Sequence, residues 1–598
     1  MNFGNLLKAE YRKRNLIILS IVAYLLSMVI VGNDEHYFNY RWIAFFLNMG
    51  SLAILFFLYI SQTYTKSHFK KLFSKEEITP IIFITLVAIV VNFLNLSVYP
   101  YVSISDELRD GGLFAMKIAS GVLKNIFGYG SYDAHGLIIP TIVIPFYYLF
   151  GNSILTFRFP AALFSTFDVI LLYLLIRPIV NKTAAFWSAL VLATLPLHMF
   201  FAHTQIVVAF NFFWVPILLL IIATLLKRRR IIDYIFFGAV IGFACGFHAT
   251  IRAFACVLFL VFFYLEFREM IVGKIKQKEK ILTFLKRFLI VICFALVGFG
   301  PRLLFTGPQD FFHTSRFVFE NKVQTHQQLT TSNLPTIKAN YIKSLMVYFY
   351  EPTSYFYAIN KPILPPFLAI FFFLGIGYAF FILRNKLLNI FLFLLVILPF
   401  FTSAITNYVN EDNRVGPLLV LASIFVGIGI MYILSLIKNR ELKVIAVAII
   451  LVYLYAQMHM FYMQRPADEM EGLKNYMSMH ILYFLQNDQQ YQASPATYLQ
   501  YFSSSRLRTP VCVFVSPANY ANFSNNGSLL DQQHFLVPMA SIQFRYDPQM
   551  SDNTTAILKG DCPSKIPPMK NLHTDVINCT ENNYACPVGD EGRIIIHY

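Results

Sequence analysis

The feature that most constrains this chain is a series of separate apolar stretches, each near the roughly 20 residues that a helix needs to cross a hydrocarbon core of about 30 Å. Thirteen segments qualify: Asn15–Gly32, Trp42–Ser61, Thr79–Val98, Ile154–Ile176, Ala184–Phe201, Ile206–Leu226, Tyr234–His248, Ile251–Phe267, Phe288–Phe305, Pro366–Leu383, Leu387–Thr406, Val415–Ile437 and Val444–Phe461. With 57% apolar and 13% charged residues, the chain has too few charges to cover such a surface in water, where soluble domains carry about 25%. The fold expected is therefore an α-helical polytopic membrane protein of about 13 spans. Disorder, collagen-like repeats and a small disulfide scaffold are excluded on the same grounds.

Charge sets the orientation. With the N-terminus in the cytoplasm, the short inner loops collect 26 of the 48 basic residues, among them Lys227, Arg228, Arg229 and Arg230 in one run. This is the positive-inside pattern. The net charge of +16 is then a topology signal, and nucleic acid is not an expected partner. The apolar run 136–151 carries Pro140 and Pro145 and is too short to cross. It reads as a re-entrant or interfacial helix on the outer face, since a crossing there would invert every later loop.

Three units follow. Residues 1–78 are a two-span extension, and 79–463 are the main transmembrane domain, with long outer loops at 99–153 and 306–365. Residues 464–598 form an outer tail with 9 basic and 12 acidic residues, a helix-like stretch over Glu469–Leu485 and a strand-like run at Val511–Val515. A small extracytoplasmic α/β domain is expected there. Cys512, Cys562, Cys579 and Cys586 all lie in the tail, an even set that suits one or two disulfides in an oxidising compartment.

Few residues carry recognisable chemistry. The first long outer loop begins Ser103-Ile104-Ser105-Asp106-Glu107, two adjacent carboxylates a few residues beyond lipid. A helix start capped by serine accounts for such a pair by itself. The surrounding loop, with an amphipathic stretch over Leu113–Leu123 and the proline-bearing run behind it, is more than a connector requires. Asp168 falls near mid-bilayer and is expected as a neutral or paired packing residue. His135, His203, His313 and His326 are external but show no ligand spacing, so no metal site is assigned and a divalent metal stays an open question. Nucleotide-binding glycine loops are absent from the sequence, so no soluble cofactor is expected.

The order of these features resembles the GT-C class of membrane glycosyltransferases, in the branch of protein O-mannosyltransferases and bacterial aminoarabinose transferases. The matching residues are Asp106-Glu107 in the first long outer loop and the stretch Pro145 to His198, PFYYLFGNSILTFRFPAALFSTFDVILLYLLIRPIVNKTAAFWSALVLATLPLH, with its Phe150-Gly151, Arg158-Phe159-Pro160 and Leu195-Pro196 steps. The resemblance runs best over 79–267. It implies transfer of a sugar from a polyprenyl-phosphate donor to a glycan, lipid or protein acceptor at the outer membrane face. Asp106 would then be the general base of an inverting displacement, with Glu107 positioning it or the acceptor. Arg158, Arg252, Arg302 and Arg414 are the expected donor-phosphate residues, with Arg414 and Arg302 preferred and Arg158 equally suited to pair with Asp106 or Glu107; Arg316 and Lys322 are further cations near the outer face.

Departures from the family pattern are visible. Its Lys-Pro-Pro-Leu step reads Ala134-His135-Gly136-Leu137 here, the outer turn His203-Thr204-Gln205 lacks an acidic partner, and two spans precede the acidic loop. The tail does not resemble the β-trefoil of the eukaryotic O-mannosyltransferases, which favours a bacterial inner membrane with a periplasmic tail. The competing readings are a transporter or flippase of lipid-linked glycan, and an inactive GT-C-like assembly subunit. Transporters show inverted repeats and polar midplane residues, and here the polar residues concentrate in the outer loops.

Overall fold

The structure is a computed structural model that describes residues 3–32, 34–63, 74–96, 114–119, 126–128, 136–150, 154–204, 209–272, 277–305, 320–321, 325–326, 334–353, 361–405, 409–463 and five tail strands. Its helices, in chain order, are α1 (Phe3–Gly32), α2 (Asp34–Thr63), α3 (Lys75–Phe93), α4 (Phe114–Ala119), α5 (Ile138–Phe150) and α6 (Ile154–Ile176). They continue with α7 (Lys182–Thr194), α8 (Pro196–Ala202), α9 (Ala209–Arg228), α10 (Ile231–Cys245), α11 (Ala249–Val272) and α12 (Gln277–Phe299). The last five are α13 (Leu334–Met346), α14 (Pro366–Tyr378), α15 (Lys386–Pro399), α16 (Gly416–Leu436) and α17 (Arg440–Met463).

Among the described residues, 10 helices are long and apolar enough to cross a membrane, and a bent pair makes up to 11. The chain is thus an integral membrane protein, but the expected thirteen spans are not reached, for three physical reasons. The stretch expected as one span over 184–201 breaks into α7 and α8, which meet at 65°. Pro196 opens α8, and Leu195 before it is extended (φ −71°, ψ 130°), because proline excludes the helical conformation from its predecessor. The apolar part of α3 stops at Phe93, short of the expected Val98, since Leu94 turns extended and Asn95 is left-handed at φ 56°. The fifteen residues of α10 end at the Gly246 turn. Helix α5, expected as re-entrant or interfacial, spans 13 residues, about 20 Å at 1.5 Å per residue and well short of a bilayer core.

Burial orders the bundle. Of the best apolar window in each helix, 83% is buried for α16 but only 22% for α12 and for α17, so α16 is central and the other two face lipid. With lipid as apolar as leucine, helices are held by close approach and by polar contacts. Helices α10 and α12 use the first: a Cβ on Gly242 would lie 1.9 Å from the Ala295 carbonyl oxygen. Helices α1 and α2 use the second, through Ser20 and Ser51 hydroxyls 2.9 Å apart and Ser27 donating to the Ala44 carbonyl at 2.7 Å. At the opposite end of α11 from Arg252, Glu266 accepts from Tyr234 at 3.0 Å and from Arg287 at 2.8 Å, so this buried carboxylate ties α10, α11 and α12 together.

The outer loop segments pack on the ends of the first two spans. Ala115 and Ile118 of α4, Phe127, and Val143 and Ile144 of α5 share one buried cluster with Val31 of α1 and Ala44 of α2. In the second long outer loop β1 (Glu320–Asn321) pairs with β2 (Thr325–His326).

In the tail, β3 (Val511–Val515), β4 (Ile542–Tyr546), β5 (Thr555–Lys559), β6 (Thr574–Asn578) and β7 (Arg593–His597) form one mixed sheet in the order β4-β3-β5-β7-β6. The β3–β4 and β5–β7 pairs are parallel, the other two antiparallel. Parallel neighbours need a crossover, which the long connection between β3 and β4 provides. The strand expected at Val511–Val515 is present, while the helix expected over 469–485 lies outside the described residues. So do Cys562, Cys579 and Cys586; Cys512 is on β3.

Candidate functional site

Asp106 and Glu107 lie outside the described residues, as do His135 and His313. Both stems of their loop are described, and each is fastened to the bundle. The first stem is the end of α3. Arg158 of α6, fully buried, donates from Nη1 to the Leu96 carbonyl at 3.2 Å. His203, just after α8, has Nε2 3.0 Å from the Leu94 carbonyl oxygen and Nδ1 2.8 Å from that of Met199. The Tyr462 hydroxyl of α17 donates to the Val91 carbonyl at 2.6 Å. Three side chains from three elements therefore satisfy carbonyls that a helix C-terminus leaves open, which explains why α3 stops where it does. Arg158, expected at the donor phosphate or beside Asp106 and Glu107, holds the loop stem through the Leu96 carbonyl.

The second stem reaches the turn between α10 and α11. Gly136 donates its N–H to the Phe247 carbonyl at 3.0 Å. Two arginines converge on that same turn. Arg302 follows α12 on a tight helical turn, Gly300–Leu304, entered through Gly300 at φ 67°. Its guanidinium lies against Gly246, where a Cβ would sit 1.5 Å from Nη1, so only glycine leaves it room. The same guanidinium carbon is 5.6 Å from the centre of the Phe243 ring, a cation–π contact. Arg252, in the first turn of α11, donates from Nε to the Cys245 carbonyl at 3.3 Å. A cation at the C-terminal end of α10 complements its dipole.

Next to the arginines is His248. Its Nδ1 accepts from Asn211 Nδ2 at 3.1 Å and from the Thr250 N–H at 3.2 Å, so the neutral ring carries its proton on Nε2. Thr250 donates to the Asn413 carbonyl at 3.4 Å, which joins this turn to the one before α16. There Arg414 forms an ion pair with Glu411 at 2.7 Å. Arg302 is 1% exposed, Arg252 4% and Arg414 8%, so all three cations are held away from bulk water at the ends of apolar helices. Burying cations is costly unless anionic or hydrogen-bonding partners meet them; here Glu411 meets Arg414, the Cys245 carbonyl meets Arg252 and the Phe243 ring lies under Arg302.

The sequence reading passed over Glu411, His198 and Asn211. Glu411 sits in the run Asn410-Glu411-Asp412-Asn413-Arg414, dense in polar residues between two apolar spans, and that density is the signal by which it could have been found. Asp168, expected as a paired packing residue, is fully buried and bound to His198 Nε2 at 3.1 and 3.2 Å. Among the described residues no three His, Cys, Asp or Glu side chains gather where a metal could sit.

Residues 134–298, which hold Arg158, Arg252 and the α10–α11 turn, match the family model described as dolichyl-phosphate-mannose-protein mannosyltransferase. The resemblance read from the residues is thus met over this stretch. No curated protein is a significant sequence match. Among solved structures, ArnT from Cupriavidus metallidurans bound to undecaprenyl phosphate aligns at 14% identity and a TM-score of 0.39, over 62% of this chain and 63% of that one. The apo oligosaccharyltransferase of Archaeoglobus fulgidus aligns at 15% identity and a TM-score of 0.41, over 81% and 65%. AglB from the same archaeon, in complex with an inhibitory peptide and a dolichol-phosphate, gives 14%, a TM-score of 0.42, and 79% and 65%. The chain therefore spans less than two thirds of the length of these proteins.

Proposed function

We propose that this chain is a GT-C-type glycosyltransferase that moves a sugar from a polyprenyl-phosphate donor to a glycan, lipid or protein acceptor at the outer membrane face. The observation that carries the reading is the convergence of Arg252 and Arg302 on the buried α10–α11 turn, which Gly136 ties to the loop that holds Asp106 and Glu107. The family match over 134–298 supports it.

The chemistry suits the layout. The donor tail stays in lipid and its phosphosugar head reaches the outer helix ends. An acceptor hydroxyl attacks the anomeric carbon and gives its proton to the Asp106 carboxylate, which Glu107 positions. The bond from that carbon to the phosphate oxygen breaks, and its electron pair leaves with the polyprenyl phosphate. Arg302 and Arg252 stabilise the charge that develops there, and Arg414, oriented by Glu411, is the third cation of the site. Displacement from the opposite face inverts the anomeric configuration. Arg158 acts at one remove, by fixing the stem from which the Asp106 loop departs. The loop and tail face the outside, with the N-terminus in the cytoplasm.

Binding of radiolabelled polyprenyl phosphate to the purified protein tests the arginine assignment. Arg302→Gln and Arg252→Gln each weaken binding by about tenfold to a hundredfold, the worth of a charge-assisted hydrogen bond. Lys443→Gln, on the cytoplasmic side, leaves it unchanged. Unaltered binding in both arginine variants would overturn the assignment.

A further inference from the structure

A large open crevice lies elsewhere, at the cytoplasmic ends of the helices. It measures about 2610 Å³ and runs between α2, α6, α9, α11 and α15. Small-molecule sites occupy about 300–1,000 Å³, so its natural occupant is of lipid size. On α6 its wall extends from Arg177 at the mouth to Phe164, and on α15 from Lys386 to Phe401. At 1.5 Å per residue each wall is about 20 Å deep, past the middle of a bilayer core. The walls are apolar and open: Leu260 is 58% exposed, Tyr264 59% and Phe393 52%.

The mouth is different. Seven cations and two carboxylates from five separate chain segments line it. Lys182 pairs with Glu76 at 3.5 Å, and Arg229 pairs with Glu269. Arg177, Lys227, Arg228, Arg268 and Lys386 make up the remaining charge. Inner loops carry cations for topology alone, but topology does not require four segments to bring them around one apolar crevice.

We propose that this crevice is a binding site for an anionic phospholipid of the inner leaflet, with its phosphate at the Arg177–Lys227–Arg228–Arg268–Lys386 mouth and its alkyl chains along the walls up to Phe164. Polybasic surfaces hold anionic headgroups in this way, and a crevice of this volume keeps the chains out of contact with neighbouring lipids. The site is at the opposite face from the arginine turn cluster and does not depend on the transfer reading.

Native mass spectrometry of the full-length protein, equilibrated in nanodiscs of equal phosphatidylglycerol and phosphatidylcholine, tests it without any turnover. The protein is expected to retain phosphatidylglycerol over phosphatidylcholine by about tenfold. Combined Lys227→Gln, Arg228→Gln and Arg268→Gln brings the ratio to about one, while combined Lys278→Gln, Lys438→Gln and Lys443→Gln, inner cations outside the crevice, preserves it. Leu171→Trp, which fills the wall, lowers the amount retained and leaves the ratio unchanged. Equal retention of both lipids, equal loss in the two triple variants, or retention of polyprenyl phosphate in place of the phospholipid would overturn the proposal.

Discussion

Arg302 shows how one residue gathers its meaning from three elements. In the sequence it is an arginine after a proline near a span end; in the fold it lies on Gly246, over Phe243, in the turn that Arg252 shares. Asp168 is the other residue whose environment sets a measurable outcome. With His198 it forms a fully buried hydrogen-bonded pair. Asp168→Ala leaves the imidazole buried without its carboxylate and is expected to cost about 3 kcal/mol. Asp168→Asn, which keeps an oxygen facing the ring, costs less. Thermal unfolding in detergent orders the two variants, and equal melting temperatures would contradict the pairing. A buried acid at position 168 was legible because charge is scarce in this chain. The partner of Arg158 was not legible, since a backbone carbonyl such as that of Leu96 leaves no mark in the sequence. Glu411 was passed over because, next to a span, an acid reads as an ordinary flank.

At the scale of elements, apolar length located ten of the expected spans, because a long lipid-facing stretch has few other uses. What hydropathy could not show was how each stretch ends. Leu195-Pro196 breaks one span, and capping by Arg158, His203 and Tyr462 shortens another. The first end is set by a local proline effect and the second by tertiary contacts, and averaging over a window removes both. The close approach of α10 and α12 gives the clearest prediction. Gly242→Leu drives its Cβ against the Ala295 carbonyl oxygen and must separate α10 from α12. Since α10 ends at Cys245, which accepts from Arg252, and α12 leads into Arg302, this variant should lose both thermal stability and polyprenyl-phosphate binding. Gly50→Ala and Gly377→Ala, where nothing lies within 4 Å of the new methyl, are expected to retain both. Loss of stability in the two controls equal to that of Gly242→Leu would show that close approach is not the cause.

For the molecule as a whole, charge distribution is the organising fact. Clustered cations at one set of helix ends give the proposed orientation, and the few buried at the opposite ends are the proposed site. Cysteine labelling with a membrane-impermeant maleimide tests that orientation. A cysteine at Leu334, exposed at the start of α13, should react in intact cells, and one at Lys443 only after permeabilisation. Reaction of both without permeabilisation would reject the assignment. The tail shows the limits of reading the chain by composition: its Val511–Val515 strand could be foreseen, but not the order β4-β3-β5-β7-β6, which depends on pairings between distant residues. The central claim is that the outer loop, with Asp106 as base, transfers a sugar from a polyprenyl phosphate. Its most direct measurement is turnover of a radiolabelled polyprenyl-phosphate sugar by purified protein with membrane-extracted acceptors, comparing the native chain with Asp106→Asn. The account predicts transfer by the native chain and a loss of about a hundredfold or more in the variant, with donor binding retained. Undiminished transfer by Asp106→Asn would contradict it.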